Sequence, residues 1–276
     1  MVYNYNDLEK VNKFAAQLNV TQDICLRINS QKYESKLGIS INRENSKKLK
    51  SILNSCSHIN LVTILSHFST QMNSLNQFKS NLVALINSLK NLEKNNIHIK
   101  NINLGGGFPE ATVMPKHVLK DIAMNIKKSL DKSGIYYQSV YFEPGRYFVG
   151  DAGAYISQII NIFKDEWIFL DVGNHICPKF ARCSLRFYNI SQLDKAHKYK
   201  ISIAGIVPTD QDVLAKDYFF TSDPEIEDNV LITNVGAYCL TFSNRFPYKL
   251  PNIIFIENKD LRVIFDPDKN HDFSLT

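Results

Sequence analysis

Apolar residues recur along this chain in two rhythms, and the change between them divides it. Up to about residue 150, stretches with apolar positions three and four apart alternate with short β-like runs that end in polar or glycine residues. That alternation predicts parallel β/α units. A first helix is predicted over 7–18, with Asn6 as N-cap, Glu9 in the capping-box position, and Leu8, Val11, Phe14, Ala15 and Leu18 along one face. Strands are predicted over 24–29, 61–67, 99–104 and 140–143, with helices over 42–55, 75–95 and 116–133.

Beyond Gly150 the long helical periods stop and β-branched and aromatic runs take over, predicting strands over 154–163, 167–172, 201–207, 229–233, 253–257 and 261–266. This half reads as mostly antiparallel β. The chain is thus expected to be α/β over 1–150 and a β domain over 151–276, with no internal repeat or low-complexity tract.

Composition excludes several classes. With 276 residues, 44% hydrophobic and 21% charged, the chain can bury a sizeable core and is not disordered. Its 32 Lys+Arg against 27 Asp+Glu give a scattered +5, which argues against nucleic acid as a partner. No apolar run approaches the roughly 20 residues of a membrane span, and the polar start is unlike a signal peptide. The five cysteines are odd in number and lack C-x-x-C spacing, which suits a reducing cytoplasm better than a disulfide framework. His175, Cys177 and Cys183 lack a fourth partner at zinc spacing, so no metal is expected.

The candidate chemistry lies at the ends of successive strands in the first half. Leu104-Gly105-Gly106-Gly107-Phe108-Pro109 follows a strand, and glycines without Cβ allow several backbone N–H groups to approach an anion. By itself this is also an ordinary tight loop. Ser66-His67-Phe68-Ser69-Thr70-Gln71 ends the preceding strand, and Glu143-Pro144-Gly145-Arg146-Tyr147 the following one. In a β/α barrel that end carries the active site. A glycine loop, hydroxyls and an arginine can hold a phosphate, a histidine can stack on a flat heterocycle, and a carboxylate can hold a proton on a pyridine nitrogen. Taken singly, His67 could be structural, Glu143 could pair with Arg146, and Pro144-Gly145 could be a turn.

Together these motifs resemble the ornithine, diaminopimelate and arginine decarboxylases of the alanine racemase-like fold, which use pyridoxal 5'-phosphate (PLP). Arg27-Ile28-Asn29 and Ser35-Lys36-Leu37-Gly38 resemble the family's Arg-x-Asn-Pro and Ser-Lys-Phe-Gly, and His67 to Gln71 its His-x-Gly-Ser-Gln. The triple glycine and Glu143-Pro144-Gly145-Arg146 match outright, while Asp171-Val172-Gly173, Gly205 to Asp212 and Gly236-Ala237-Tyr238 resemble later family segments. The resemblance implies the C-terminal part of a (β/α)8 barrel followed by a β domain. It also implies that His67 stacks on the cofactor ring and Glu143 faces the pyridine nitrogen. Gly105, Gly106, Gly107 and Arg146 would hold the phosphate, with help from Tyr238 and from Ser69 or Thr70. Thr209 and Asp212 would fall in the substrate loop.

The departures are specific. The family's Schiff-base lysine lies upstream of everything matched here: Val2-Tyr3-Asn4 and the following helix start resemble elements that come after it, and Lys36 matches a non-catalytic lysine. The barrel is therefore expected to be N-terminally truncated, with unpaired strand edges. Pro208 occupies the position of the family's acid cysteine and has no proton to give. Ile176-Cys177-Pro178 falls where diaminopimelate enzymes have the Arg-Pro that grips a substrate carboxylate, and Thr209 where they have glutamate, which points away from diaminopimelate. Cys177 itself reads as a buried small hydrophobe. Two functions follow from the resemblance. One is an amino-acid decarboxylase that is inactive alone and works as a homodimer or with a companion chain carrying the lysine. The alternative is a non-catalytic homologue acting as a protein-binding partner or decoy.

Overall fold

A computed structural model of the chain describes residues 1–29, 35–67, 69–164, 166–179, 184–244 and 246–270. Phe68 and Cys183 lie outside the described residues. The chain divides into two compact units, Met1–Phe148 and Val149–Thr276.

The first unit is built on β1 (Gln22–Arg27), β2 (Ile59–Leu65), β3 (Asn101–Asn103) and β4 (Ser139–Tyr141), which lie side by side in that order with every pair parallel. Parallel neighbours require crossovers. Helices α2 (Arg43–Ser55), α3 (Leu75–Glu93) and α4 (Lys116–Ser133) supply them, preceded by α1 (Tyr5–Gln17) and followed by the short α5 (Gly145–Val149). Val2 adds a parallel bridge to Leu26, donating to Cys25 O (2.8 Å) and accepting from Arg27 N (2.9 Å).

Register separates the faces of this sheet. Leu26, Ile64, Ile102 and Val140 align in one row across the four strands. They pack in one core with Leu82, Leu85 and Leu89 of α3 and Ile122, Ile126 and Leu130 of α4. The flanking rows, Cys25-Thr63-Asn101-Ser139 and Arg27-Leu65-Asn103-Tyr141, alternate to the other face because successive side chains of a strand point oppositely. Polar groups are therefore concentrated on the face away from the core.

The predicted helices over 42–55, 75–95 and 116–133 match α2, α3 and α4 to within two residues at either end. At α1 the cap is Asn4, whose side chain accepts from Asp7 N at 2.9 Å, rather than Asn6. Asp7 takes the reciprocal role expected of Glu9, accepting from Tyr3 N at 3.0 Å. Phe14 and Leu18 are exposed at 61% and 74%, so the buried face is narrower than its apolar spacing suggests.

The second unit holds β5 (Ala154–Phe163), β6 (Trp167–Leu170), β7 (Arg186–Asn189), β8 (Tyr199–Ala204), β9 (Val213–Phe220) and β10 (Asn229–Thr233) in one sheet, ordered β7-β10-β5-β6-β8-β9. All pairs are antiparallel except β6 with β8. A separate antiparallel hairpin pairs β11 (Ile253–Glu257) with β12 (Asp260–Phe265). β7 and β9 were not foreseen from the sequence. β9 breaks its alternation at Lys216 and Asp217, the latter at φ +49°, and shifts register against β8. Ile159, Phe187, Ile203, Phe220 and Val230 are fully buried in this unit's core. Cys177, 1% exposed, lies in the same core with its Sγ 3.9 Å from that of Cys239. Among the described residues no helix is long and apolar enough to cross a membrane.

Candidate functional site

The polypeptide leaving β2, β3 and β4 carries the three motifs, and parallel pairing places their ends on the same side of the sheet. The ladder runs on past the strands, with Ser66 N donating to Asn103 O (2.9 Å) and Leu104 N to Tyr141 O (2.9 Å). Beyond it the loops are joined directly. Glu143 N donates to Gly105 O (2.9 Å), Gly106 N to His67 Nδ1 (3.4 Å), and Met72 N to Gly107 O (2.8 Å). His67, Gly105 to Gly107 and Glu143 are thus brought together as the sequence suggested.

Two glycines are required by this closeness. A Cβ at Gly106 would lie 2.5 Å from Glu143 O, and one at Gly107 would collide with Ser69 O. Gly107 also sits at φ +94°, a conformation that L side chains rarely adopt. The three amides do not converge on a single anion, however. Gly105 N already donates to Asn103 Oδ1 (2.8 Å) and Gly106 N to the His67 ring. Among the described residues the Gly107 and Phe108 amides have no hydrogen-bond partner. Half-buried Ser69 and exposed Thr70 bring hydroxyls to the adjoining loop. Backbone amides and hydroxyls are groups of the kind that hold a phosphate.

His67 is half-buried, and its pKa is lowered first by burial and then by the Arg27 charge. The neutral ring suits its contact, since a protonated Nδ1 could not accept from Gly106 N. Glu143 is exposed, with Oε1 accepting from Asn103 Nδ2 at 2.8 Å. Arg146 is buried at the start of α5. Asn103 was missed in the sequence. Its only signal there is an amide two residues before the first glycine, on the polar face of β3.

Tyr238, Thr209, Asp212 and Pro208 belong to the second unit. Tyr238 is about half-exposed and adopts φ +70°, just after Gly236, whose N donates to Gly150 O (3.0 Å). Asp212 is 2% exposed and organises its own loop: Oδ1 accepts from Asn174 N (2.7 Å) and Oδ2 from Val207 N (2.8 Å). Pro208 and Thr209 are exposed beside an open cleft of about 840 Å³, lined also by Trp167, Phe169 and Lys216. His175 is 4% exposed with a pKa lowered by burial, and its ring lies 5.6 Å from that of Tyr248.

A family model described as the pyridoxal binding domain of pyridoxal-dependent decarboxylases matches residues 1–150. Diaminopimelate decarboxylase from Methanocaldococcus jannaschii is 23% identical, over 95% of this chain and 64% of its own length. The solved structure of diaminopimelate decarboxylase from M. jannaschii superposes with a TM-score of 0.78 at 20% identity, covering 96% of this chain and 65% of that one. SrLDC in complex with PLP and cadaverine gives 0.65 at 23% identity, over 86% and 61%. The chain thus spans slightly under two thirds of the length of these proteins.

Proposed function

Since the chain belongs to the pyridoxal-dependent decarboxylases, we propose that its first unit holds the phosphate and ring of PLP within an enzyme that removes the α-carboxyl group of an amino acid. The observation that carries this reading is the meeting of His67, the triple glycine and Glu143 at three adjacent parallel strand ends, tied by the bonds Gly106 N to His67 Nδ1 and Glu143 N to Gly105 O. In this reading the Gly107 and Phe108 amides and the Ser69 and Thr70 hydroxyls hold the phosphate, with Arg146 adding charge. The neutral His67 ring lies against the pyridine ring, and Glu143 keeps a proton on its nitrogen. When bound, PLP supplies an electron sink for the pair left on Cα as carbon dioxide departs.

By the family resemblance, the Schiff-base lysine lies upstream of the motifs matched here. The reading assigns that lysine to polypeptide outside these residues, which a second copy of the same residues would not supply. Pro208 favours a second reading, a homologue that binds a protein partner without turnover. The two separate on whether adding the lysine-bearing polypeptide yields carbon dioxide from amino acids.

The cofactor reading is tested by titrating the purified chain with 4'-deoxypyridoxine 5'-phosphate. This analogue keeps the ring and phosphate but lacks the aldehyde that would react with surface lysines. Saturable binding at least tenfold tighter than that of its dephosphorylated form is expected. Equal affinity for the two would rule out a phosphate cradle.

A further inference from the structure

We infer that Asn103 is a positioning residue for Glu143, holding Oε1 so that Oε2 is left to face the pyridine nitrogen; this rests on the PLP reading above. The geometry is a closed ring of three hydrogen bonds. Gly105 N donates to Asn103 Oδ1 at 2.8 Å, Asn103 Nδ2 donates to Glu143 Oε1 at 2.8 Å, and Glu143 N donates to Gly105 O at 2.9 Å. One side chain therefore grips the glycine loop with its oxygen and the carboxylate with its amide.

A primary amide can do both at that spot, accepting with its oxygen and donating with its nitrogen. The Gly105 N–H demands an acceptor, and the Glu143 carboxylate demands a donor that brings no competing charge. Leucine supplies neither. Aspartate supplies the acceptor but sets two like charges in contact, which resist joint ionisation unless one proton is shared between them. The position within the sheet explains why Asn103 can reach. It ends β3, in register with Tyr141 of β4, and points away from the core row containing Ile102. Glu143 lies two residues beyond Tyr141 on the neighbouring strand end. Asn101, two residues earlier on the same face, instead donates to Thr63 Oγ1 at 3.3 Å and is spent within the sheet. The Glu143 charge acts on His67 and Cys25, pulling upward on the pKa of both.

The test is the titration of the pyridine nitrogen in ¹⁵N-labelled 4'-deoxypyridoxine 5'-phosphate bound to the chain, followed by its ¹⁵N chemical shift across pH. Binding to the wild-type chain should extend protonation of the nitrogen to higher pH, and Glu143→Gln should abolish that extension. Asn103→Leu should lose at least half of it while still binding phosphate, a change that loss of fold stability alone does not produce. Asn103→Asp is nearly isosteric, which guards against a leucine variant that does not fold. It should bind the analogue more weakly than wild type at neutral pH and approach wild type as the pH falls, because a protonated aspartate can again donate to Glu143. A full extension in Asn103→Leu, or wild-type binding at neutral pH in Asn103→Asp, would overturn the assignment of Asn103 and leave the cofactor reading standing. Failure of the wild-type chain to bind the analogue would overturn the cofactor reading and this inference with it.

Discussion

Individual residues of the glycine loop carry different burdens. Gly107 combines φ +94° with a near collision at Ser69 O, whereas Gly134, the C-cap of α4 at φ +72°, has nothing within 4 Å of the place a Cβ would take. Alanine at Gly134 should cost about 1 kcal/mol from backbone strain alone, and alanine at Gly107 about 1–3 kcal/mol plus the displacement of Ser69. Urea unfolding of the two variants compares them directly, and equal losses would show that the loops do not close on each other. His67 adds a pH dependence. Its folded pKa lies below the unfolded value of roughly 6.5, so its contribution to stability is present above that value and is lost as pH falls through the folded pKa. The unfolding midpoint should drop as pH falls below about 6.5. His67→Gln, which keeps an acceptor for Gly106 N, should drop less; an identical profile would contradict the neutral-acceptor role. At this scale His67, the glycines and Glu143 could be read from residue type and order. Asn103 could not, because its meaning lies in bonds to residues on two loops. Nor could the loss of the Gly105 and Gly106 amides to Asn103 and His67, which depends on loop geometry.

Elements were legible where periodicity was long. α4 occupies the predicted 116–133 because Ile122, Ile126 and Leu130 repeat every four residues and Gly134 stops the helix in a left-handed turn. The start of α1 was misplaced because Asn4 and Asn6 are equally good caps on paper, and the choice is made by Asp7, which bonds both Asn4 and Tyr3. Asn4→Ala should therefore cost about 1 kcal/mol, while Asn6→Ala, inside the helix, should be neutral or slightly stabilising. Thermal unfolding of the two variants checks the assignment; a larger loss for Asn6→Ala would restore the later start. β7 and β9 hid for a different reason. β7 spans only four residues, and β9 interrupts its apolar run with two exposed charged residues, so neither presents the alternation that marks a strand.

For the whole molecule, the order of motifs along the sequence foreshadowed the parallel order β2-β3-β4, and that topology is what gathers the candidate site. The change of rhythm near residue 150 likewise corresponds to a parallel sheet giving way to a largely antiparallel one. Substrate identity is not written at this level. The relatives include diaminopimelate and lysine/ornithine decarboxylases, and the chain shares only 23% and 27% of aligned residues with the representatives from M. jannaschii and Selenomonas ruminantium. The central claim is that a phosphate-bearing pyridine sits at the ends of β2, β3 and β4. Hydrogen exchange of the chain with and without 4'-deoxypyridoxine 5'-phosphate, read by mass spectrometry, tests it most directly. Slowed exchange confined to peptides covering 66–72, 103–108 and 142–147 is the result expected; saturable binding with these peptides unchanged would contradict it.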